Sequence, residues 1–477
     1  MTRTKNKQRQ YNNNKCGKTT FLIIMKLILS TTTTILLYVL AVVHGQKPEQ
    51  IHIAFNGDHG MAISWATKNG NTKTSTVKYG ETPEALTMNA TGIEVTYYGN
   101  EYHHHVELPN LKSNTIYYYQ CGDETSGFST TRSFKSAIQA SDTNFEENTN
   151  VHKISIFGDW GYGERAHAFK TRQALEKIKE EVDFIYHVGD LSYADDAFIH
   201  TPLKFEYENV YDNWMNWIEN ISDSKPYMVG VGNHESECHS PACLTSSKKR
   251  HALQNFSAYN KRWHMPSAES GGVSNMWYSF NYGLVHYITI NTETDFTSAP
   301  EEHHGDSGIL PAGGFGANGE FIQWLENDLI KANASRHIRP WIIVGGHRPW
   351  YIDSTKIVNN LKETFEDLFL KYKVDIYFNG HKHHSLRSWP IAANGTVTQE
   401  NYINPKGVVH ITAGGAGCDE YKKPGQHSLP PFLAKRVDEL STGVLTVYNS
   451  TTLHFDLIRS SDMQVVDEFT LVKGEIL

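Results

Sequence analysis

Beyond residue 150 the chain alternates two kinds of hydrophobic pattern. Short apolar runs at 153–157, 184–188, 227–231, 341–344 and 375–378 have the length and composition of buried strands. Amphipathic stretches lie between them. Residues 166–182 are charged, with apolar positions at Phe169, Leu175, Ile178 and Val182, and residues 320–332 set Phe321, Trp324, Leu325 and Leu329 on one face. Strands interleaved with helices predict an α/β layer fold. A hairpin turning at Tyr282-Gly283 is expected over 278–290, and the tail beyond Val408 carries further strand patterns at 409–412, 444–447 and 453–457.

Residues 47–140 read differently. Alternating runs around Trp65, Tyr79 and Tyr117 are separated by glycine, asparagine and proline turns, the spacing of an all-β sandwich. The tyrosine-rich late strand ending in Cys121-Gly122 is similar to a fibronectin-type module. The triple His103-His104-His105 invites a metal reading, but alternation on a strand sends neighbours to opposite faces, so ordinary strand positions are expected. The polar stretch 140–150 reads as a linker.

Composition narrows the compartment and the partners. A chain of 477 residues exceeds the usual single-core size and predicts two domains. Net charge is −8, with no basic block after the first few residues, which argues against nucleic acid as a partner. Residues 1–45 have the parts of a secretory signal, most clearly from a start at Met25: Lys26, an apolar core and small residues before Gly45. The alternative, an uncleaved anchor from Phe21, is interrupted by Lys26. With the signal cleaved, no stable membrane insertion is expected. Export agrees with Asn-x-Ser/Thr sites for N-glycans at Asn89, Asn220, Asn255, Asn333, Asn394 and Asn449. Cys238 and Cys243, within CHSPAC, are placed to bridge locally, while the pairing of Cys121 and Cys418 stays open.

The chemistry is written at the strand ends. The apolar runs stop in Gly158-Asp159-Trp160-Gly161, Gly189-Asp190-Leu191-Ser192-Tyr193, Gly232-Asn233-His234-Glu235, Gly345-Gly346-His347 and Gly380-His381-Lys382-His383. In an open α/β sheet, residues past the carboxyl ends of strands converge on one crevice, which would gather two carboxylates, a phenol, an amide and histidines. Each segment alone has a plain explanation as a turn or a cap; together they point to metal. With no thiolate among these donors, imidazole- and oxygen-preferring ions are expected.

These blocks, GDWG, GDLSY, GNHE, VGGH and GHKH, resemble those of the purple acid phosphatases within the calcineurin-like metallophosphoesterases. The resemblance implies a four-layer α/β metallophosphoesterase sandwich flanked by helices over 150–405. A fibronectin-III-like domain at 46–140 would precede it and a C-terminal segment at 406–470 would complete it. It implies Fe(III) held by Asp159, Tyr193 and His383, a divalent Zn, Fe or Mn held by Asn233, His347 and His381, and Asp190 bridging both. Such a centre carries about two positive charges before hydroxide binds, which suits a phosphate monoester dianion. A metal-activated hydroxide would attack phosphorus in line. Asn233 and His234 are the expected substrate-binding residues, with His234 assisting the leaving group; its plain alternative is support of its loop.

One departure concerns the general acid. Plant members carry a histidine pair shortly after the ligand corresponding to His347, and the segment from Arg348 to Ile357 has none, though Lys356 offers a cation. The loop 301–306, with His303 and His304, is a possible replacement at the rim. The expected function is acid phosphomonoester hydrolysis in a secreted or lysosomal, vesicular setting, with small phosphate esters as substrates and a homodimer as one option. The competing readings are a phosphodiesterase or nucleotide pyrophosphatase with the same metals, and a non-catalytic secreted binding glycoprotein.

Overall fold

The computed structural model describes residues 47–68, 74–142, 152–163, 167–301, 313–354, 356–420 and 428–474. The expected signal at 1–45 and the loop residues His303 and His304 lie outside the described residues.

The first module is all β. Strand Met88–Val95 joins its two halves: Met88 to Gly92 pair with strand Ser75–Gly80, and Ile93 to Val95 pair with strand Glu101–Leu108. The histidine triple sits on the latter strand and is buried. His104 bonds Thr67 Oγ1 at 2.8 Å and Ser75 Oγ at 2.9 Å, while His105 bonds Ser64 Oγ at 2.8 Å and the Lys261 carbonyl at 3.0 Å. Each of these two therefore satisfies its polar atoms within the framework, the ordinary role expected of it.

The module docks on helix Tyr207–Ser222 of the second unit through strand Glu49–Phe55, with Ser222 Oγ donating to the Ile51 carbonyl at 3.0 Å. Arg262 is buried at this junction. It donates to Asp212 and Glu208 at 2.7 Å each, to Tyr97 at 2.8 Å and to Gln50 at 2.9 Å.

The second unit stacks helix, sheet, sheet and helix. One sheet runs in the order Tyr227–Gly230, Phe184–Val188, His152–Phe157, Ser441–Val447, Thr452–Arg459, Val465–Val472. The other runs Tyr278–Tyr282, Val285–Thr289, Trp341–Gly345, Ile376–Asn379, Val409–Ala413, Ser385–Ser388, Leu433–Val437. Their inner faces meet through rings such as Phe184 and Tyr287, 5.4 Å apart, and Phe378 and Phe455, 5.6 Å apart. Helix Glu320–Ala334 buries Phe321, Leu325 and Leu329, as its periodicity predicts, and helix Asn359–Lys371 buries Leu361, Phe365 and Phe369. No helix among the described residues is long and apolar enough to cross a membrane.

The structure differs from a single open sheet in one respect that matters for the site. The five donor-bearing strands are divided: Tyr227–Gly230, Phe184–Val188 and His152–Phe157 lie in one sheet, Trp341–Gly345 and Ile376–Asn379 in the other. Within each group the strands run parallel, with His187 paired to Phe157 and Gly345 to Phe378, so all end at one edge. Tail strands Ser441–Val447 and Val409–Ala413 complete the two sheets, so the C-terminal segment belongs to this core.

Candidate metal centre

The site begins with backbone that most residues avoid. Asp159, Asp190, Tyr193 and His381 have φ of 61°, 57°, 54° and 64°, in the left-handed region. Such conformations persist only where the surroundings over-determine them, and they cluster at functional sites. Here the turns interlock: Asp159 N–H donates to the Gly189 carbonyl at 3.1 Å and Trp160 N–H to the Asp190 carbonyl at 3.1 Å. Within the second sheet, Gly380 N–H donates to the His347 carbonyl at 2.8 Å, and across the two sheets Gly158 N–H donates to the Ala413 carbonyl at 2.8 Å.

Glycine gives the carboxylates room. A Cβ on Gly232 would lie 2.2 Å from Asp190 Oδ1, and one on Gly380 would lie 2.3 Å from Asp159 Oδ2. The carboxylates sit where any larger residue would stand.

All seven side chains expected from the strand ends are brought together. Asp190, His347 and His381 form one group with donor atoms within 4.8 Å of one another, and Asp159, Asp190 and His383 form a second. Asp190 belongs to both. Asn233 Oδ1 lies 3.2 Å from His347 Nε2 and 3.0 Å from His381 Nδ1, joining the first group. Tyr193 Oη lies 3.3 Å from Asp159, 3.4 Å from Asp190 and 3.2 Å from His383, joining the second. Hard oxygens and imidazoles at this spacing fit two hard or borderline cations side by side.

The electrostatics agree. Burial opposes charge on Asp190, yet His347 and His234 outweigh it and hold the carboxyl well below its usual range. Burial lowers His347 and His383, but Asp190 lifts the former to about 9, and Asp159 with Cys418 lifts the latter to about 11. Cations entering such a site displace these protons. Burial, then Arg348 and His347, press His381 well below its ordinary value, so that ring is already a lone-pair donor.

His234 stands at the rim of the paired groups. Its Nδ1 is 2.8 Å from Asp195 Oδ2, and its Nε2 is 4.0 Å from Asp190 Oδ2 and 3.6 Å from Glu420. Its ring packs 4.2 Å from that of Tyr193.

Sequence reasoning gave no role to several groups that the structure places here. Glu235 accepts the backbone N–H groups of Asp190, Leu191 and Gly232 at 3.0, 2.7 and 2.8 Å, tying the Asp190 turn to the Asn233 turn. Its signal was a glutamate three residues after Gly232, the position that closes a capping box. Arg348 donates to Glu293 at 2.7 Å and to Glu301 at 2.8 Å and reaches His381 Nε2 at 3.4 Å. The buried Cys418 thiol lies beside Tyr193 and His383, so a sulfur does approach the donors, although none of the strand ends supplies one. No local pattern announces Arg348 or Cys418. Lys356 is exposed.

A buried carboxylate shared by two donor groups, at the common edge of two facing sheets, defines a dinuclear metallophosphoesterase. Family models match in three consecutive blocks. They are the purple acid phosphatase N-terminal domain over 48–136, the calcineurin-like phosphoesterase over 152–385 and the iron/zinc purple acid phosphatase-like protein C over 407–468. Acid phosphatase A of Cryphonectria parasitica is 30% identical over 90% of this chain and 92% of its own length. Purple acid phosphatase 22 of Arabidopsis thaliana is 30% identical over 87% of this chain and 82% of its own. The solved purple acid phosphatase from yellow lupin (Lupinus luteus) seeds shares the fold, with a TM-score of 0.72, 22% identity, and coverage of 90% of this chain and 75% of that one. The chain belongs to the purple acid phosphatase family, and is an enzyme of the acid phosphatase class.

Proposed function

We propose that the protein hydrolyses small phosphate monoesters in acid, at a centre where Asp159, Tyr193 and His383 hold Fe(III). Asn233, His347 and His381 hold a divalent Zn, Fe or Mn, and Asp190 bridges the two. The observation that carries this reading is the membership of Asp190 in both donor groups, with Tyr193 against Asp190 and the two residues peculiar to the second, Asp159 and His383. A phenolate is a hard, charged donor and favours the trivalent ion. When bound, the ions supply Lewis acidity toward the phosphoryl oxygens and a water acidic enough to ionise at low pH.

The chain's own residues do the rest. Asn233 and His234 sit together on the turn Asn233–Glu235 and contact the phosphate. His234, oriented through Nδ1 by Asp195, presents Nε2 to a phosphoryl oxygen or to the departing alkoxide and supplies the proton there. The plant-type histidine pair after His347 is absent from this sequence, and His234, with Nε2 4.0 Å from Asp190 Oδ2, is the proton donor assigned in this reading.

The domain plan that accompanies this reading is a fibronectin-like module at 46–140, a catalytic unit at 150–405 and a completing segment at 406–470. A signal at 1–45 would direct the protein to secretion or to a lysosomal, vesicular lumen. Exposed Asn89, Asn220, Asn255, Asn333 and Asn394 suit N-glycans, and the chain is free to form a homodimer.

The test is elemental analysis with a visible spectrum. Iron and a visible charge-transfer band are expected; Tyr193→Phe removes the band, and Asp190→Ala abolishes release of p-nitrophenol from p-nitrophenyl phosphate. A band unchanged in Tyr193→Phe would overturn the ferric assignment. Faster turnover of bis(p-nitrophenyl) phosphate than of the monoester would overturn the substrate class.

A further inference from the structure

The loop after Glu235 carries a feature that the proposed chemistry has not absorbed. Cys238 and Cys243 form a disulfide, and between them His239 adopts φ 35°, a conformation that side-chain-bearing residues rarely take. His239 Nδ1 lies 2.6 Å from Asp195 Oδ2, the oxygen that His234 Nδ1 meets at 2.8 Å. A carboxylate only accepts, so both imidazoles donate to it from Nδ1. Asp195 Oδ1 makes no hydrogen bond among the described residues, which leaves the two imidazoles as the carboxylate's hydrogen-bond donors. The rings of His234 and His239 stand edge to face, with centroids 6.2 Å apart.

We infer that His239 is a positioning residue for the reaction. It is the outer member of a His239–Asp195–His234 chain, held by the Cys238–Cys243 disulfide, that fixes the His234 ring with Nε2 toward the phosphate. This rests on the reading of His234 as the phosphate-facing group. Two donors on one oxygen pin the orientation of the carboxylate; with one removed, the carboxylate is free to turn about its own bond and the His234 ring turns with it. The polar groups around His239 are Asp195, Asp196, His234 and Glu237, all outside the seven metal donors, so its loss acts on the ring and leaves the metals in place.

The experiment compares His239→Ala, His239→Asn and His234→Ala in the metal-loaded full chain, with p-nitrophenyl phosphate as substrate. His239→Ala lowers kcat by about tenfold or more, the scale of lost orienting partners, with KM, metal content and the visible band kept. His239→Asn, whose amide places an N–H near the position of Nδ1–H, restores most of kcat. A Cys238→Ser/Cys243→Ser variant, which frees the loop without touching the imidazole, also lowers kcat while keeping the band.

If His234→Ala costs activity and His239→Ala does not, the inference falls and the reading of His234 survives. If His234→Ala itself costs nothing, that reading fails and the inference with it. Loss of metal or of the visible band in His239→Ala, or failure of Asn to restore kcat, marks a merely structural residue and overturns the inference.

Discussion

Replacing Gly380 by alanine adds one methyl group against a carboxylate of the metal site. The new Cβ would stand 2.3 Å from Asp159 Oδ2 and 3.4 Å from Asp159 Cγ and His347 Nδ1. Ordinary contact begins near 3.4 Å, so the oxygen must retreat by about 1 Å. That oxygen also accepts the His381 N–H at 2.8 Å, so its retreat breaks the tie between the two donor strands. Metal–ligand distances tolerate about 0.2 Å, which puts a carboxylate displaced this far out of coordination. Misplacement of about 1 Å costs on the order of a hundredfold in rate. Overpacking of this kind costs about 1–3 kcal/mol, so the fold is expected to survive.

Gly161→Ala is the matched control. Its Cβ would meet Cys418 Cα at 3.5 Å, Tyr193 Cδ2 at 3.6 Å and the Gly417 carbonyl at 3.7 Å, all ordinary contacts. Metal per chain, the visible band, turnover of p-nitrophenyl phosphate and a melting curve are measured for both variants. Gly380→Ala is expected to lose metal and activity while melting cooperatively; Gly161→Ala is expected to keep both. Full metal and near-native turnover in Gly380→Ala, or equal damage in Gly161→Ala, would refute the placement of Asp159.

Other outcomes follow from groups outside the site. Arg262→Met leaves Glu208 and Asp212 without their shared cation at the junction, a loss of about 3–5 kcal/mol read from denaturant unfolding. Asp212→Asn added to it is expected to recover part of that loss. His152 is buried, neither ring nitrogen has a hydrogen-bond partner among the described residues, and burial presses its pKa down to about 3. The unfolded chain takes up this proton first as pH falls through about 6.5, so stability is lost from there down toward the folded value. Between pH 7 and pH 5 the loss is about 2 kcal/mol, and His152→Leu is expected to flatten that part of the stability curve.

Much of this molecule was legible in its one-dimensional pattern. Strand and helix periods named the α/β unit and the all-β module, because burial of one face leaves its period in the sequence whatever the partner is. The placement of the seven strand-end side chains was legible for a related reason: each follows an apolar run and a glycine, so local backbone alone puts it at a strand's exit. His103, His104 and His105 were legible as framework residues because alternation forbids neighbours from sharing a face.

What the pattern could not decide was which edges meet. Division of the donor strands between two facing sheets, their completion by Val409–Ala413 and Ser441–Val447, and the sharing of Asp190 depend on contacts distant along the chain. The same holds for the supporting groups. Asp195 and His239 are joined through a loop closed by a disulfide, Arg348 reaches Glu293 and Glu301 from another strand end, and Cys418 arrives at Tyr193 from the tail. A donor's type is a local property of the chain; its partners depend on which distant segments packing has brought beside it, and only the tertiary structure holds that information.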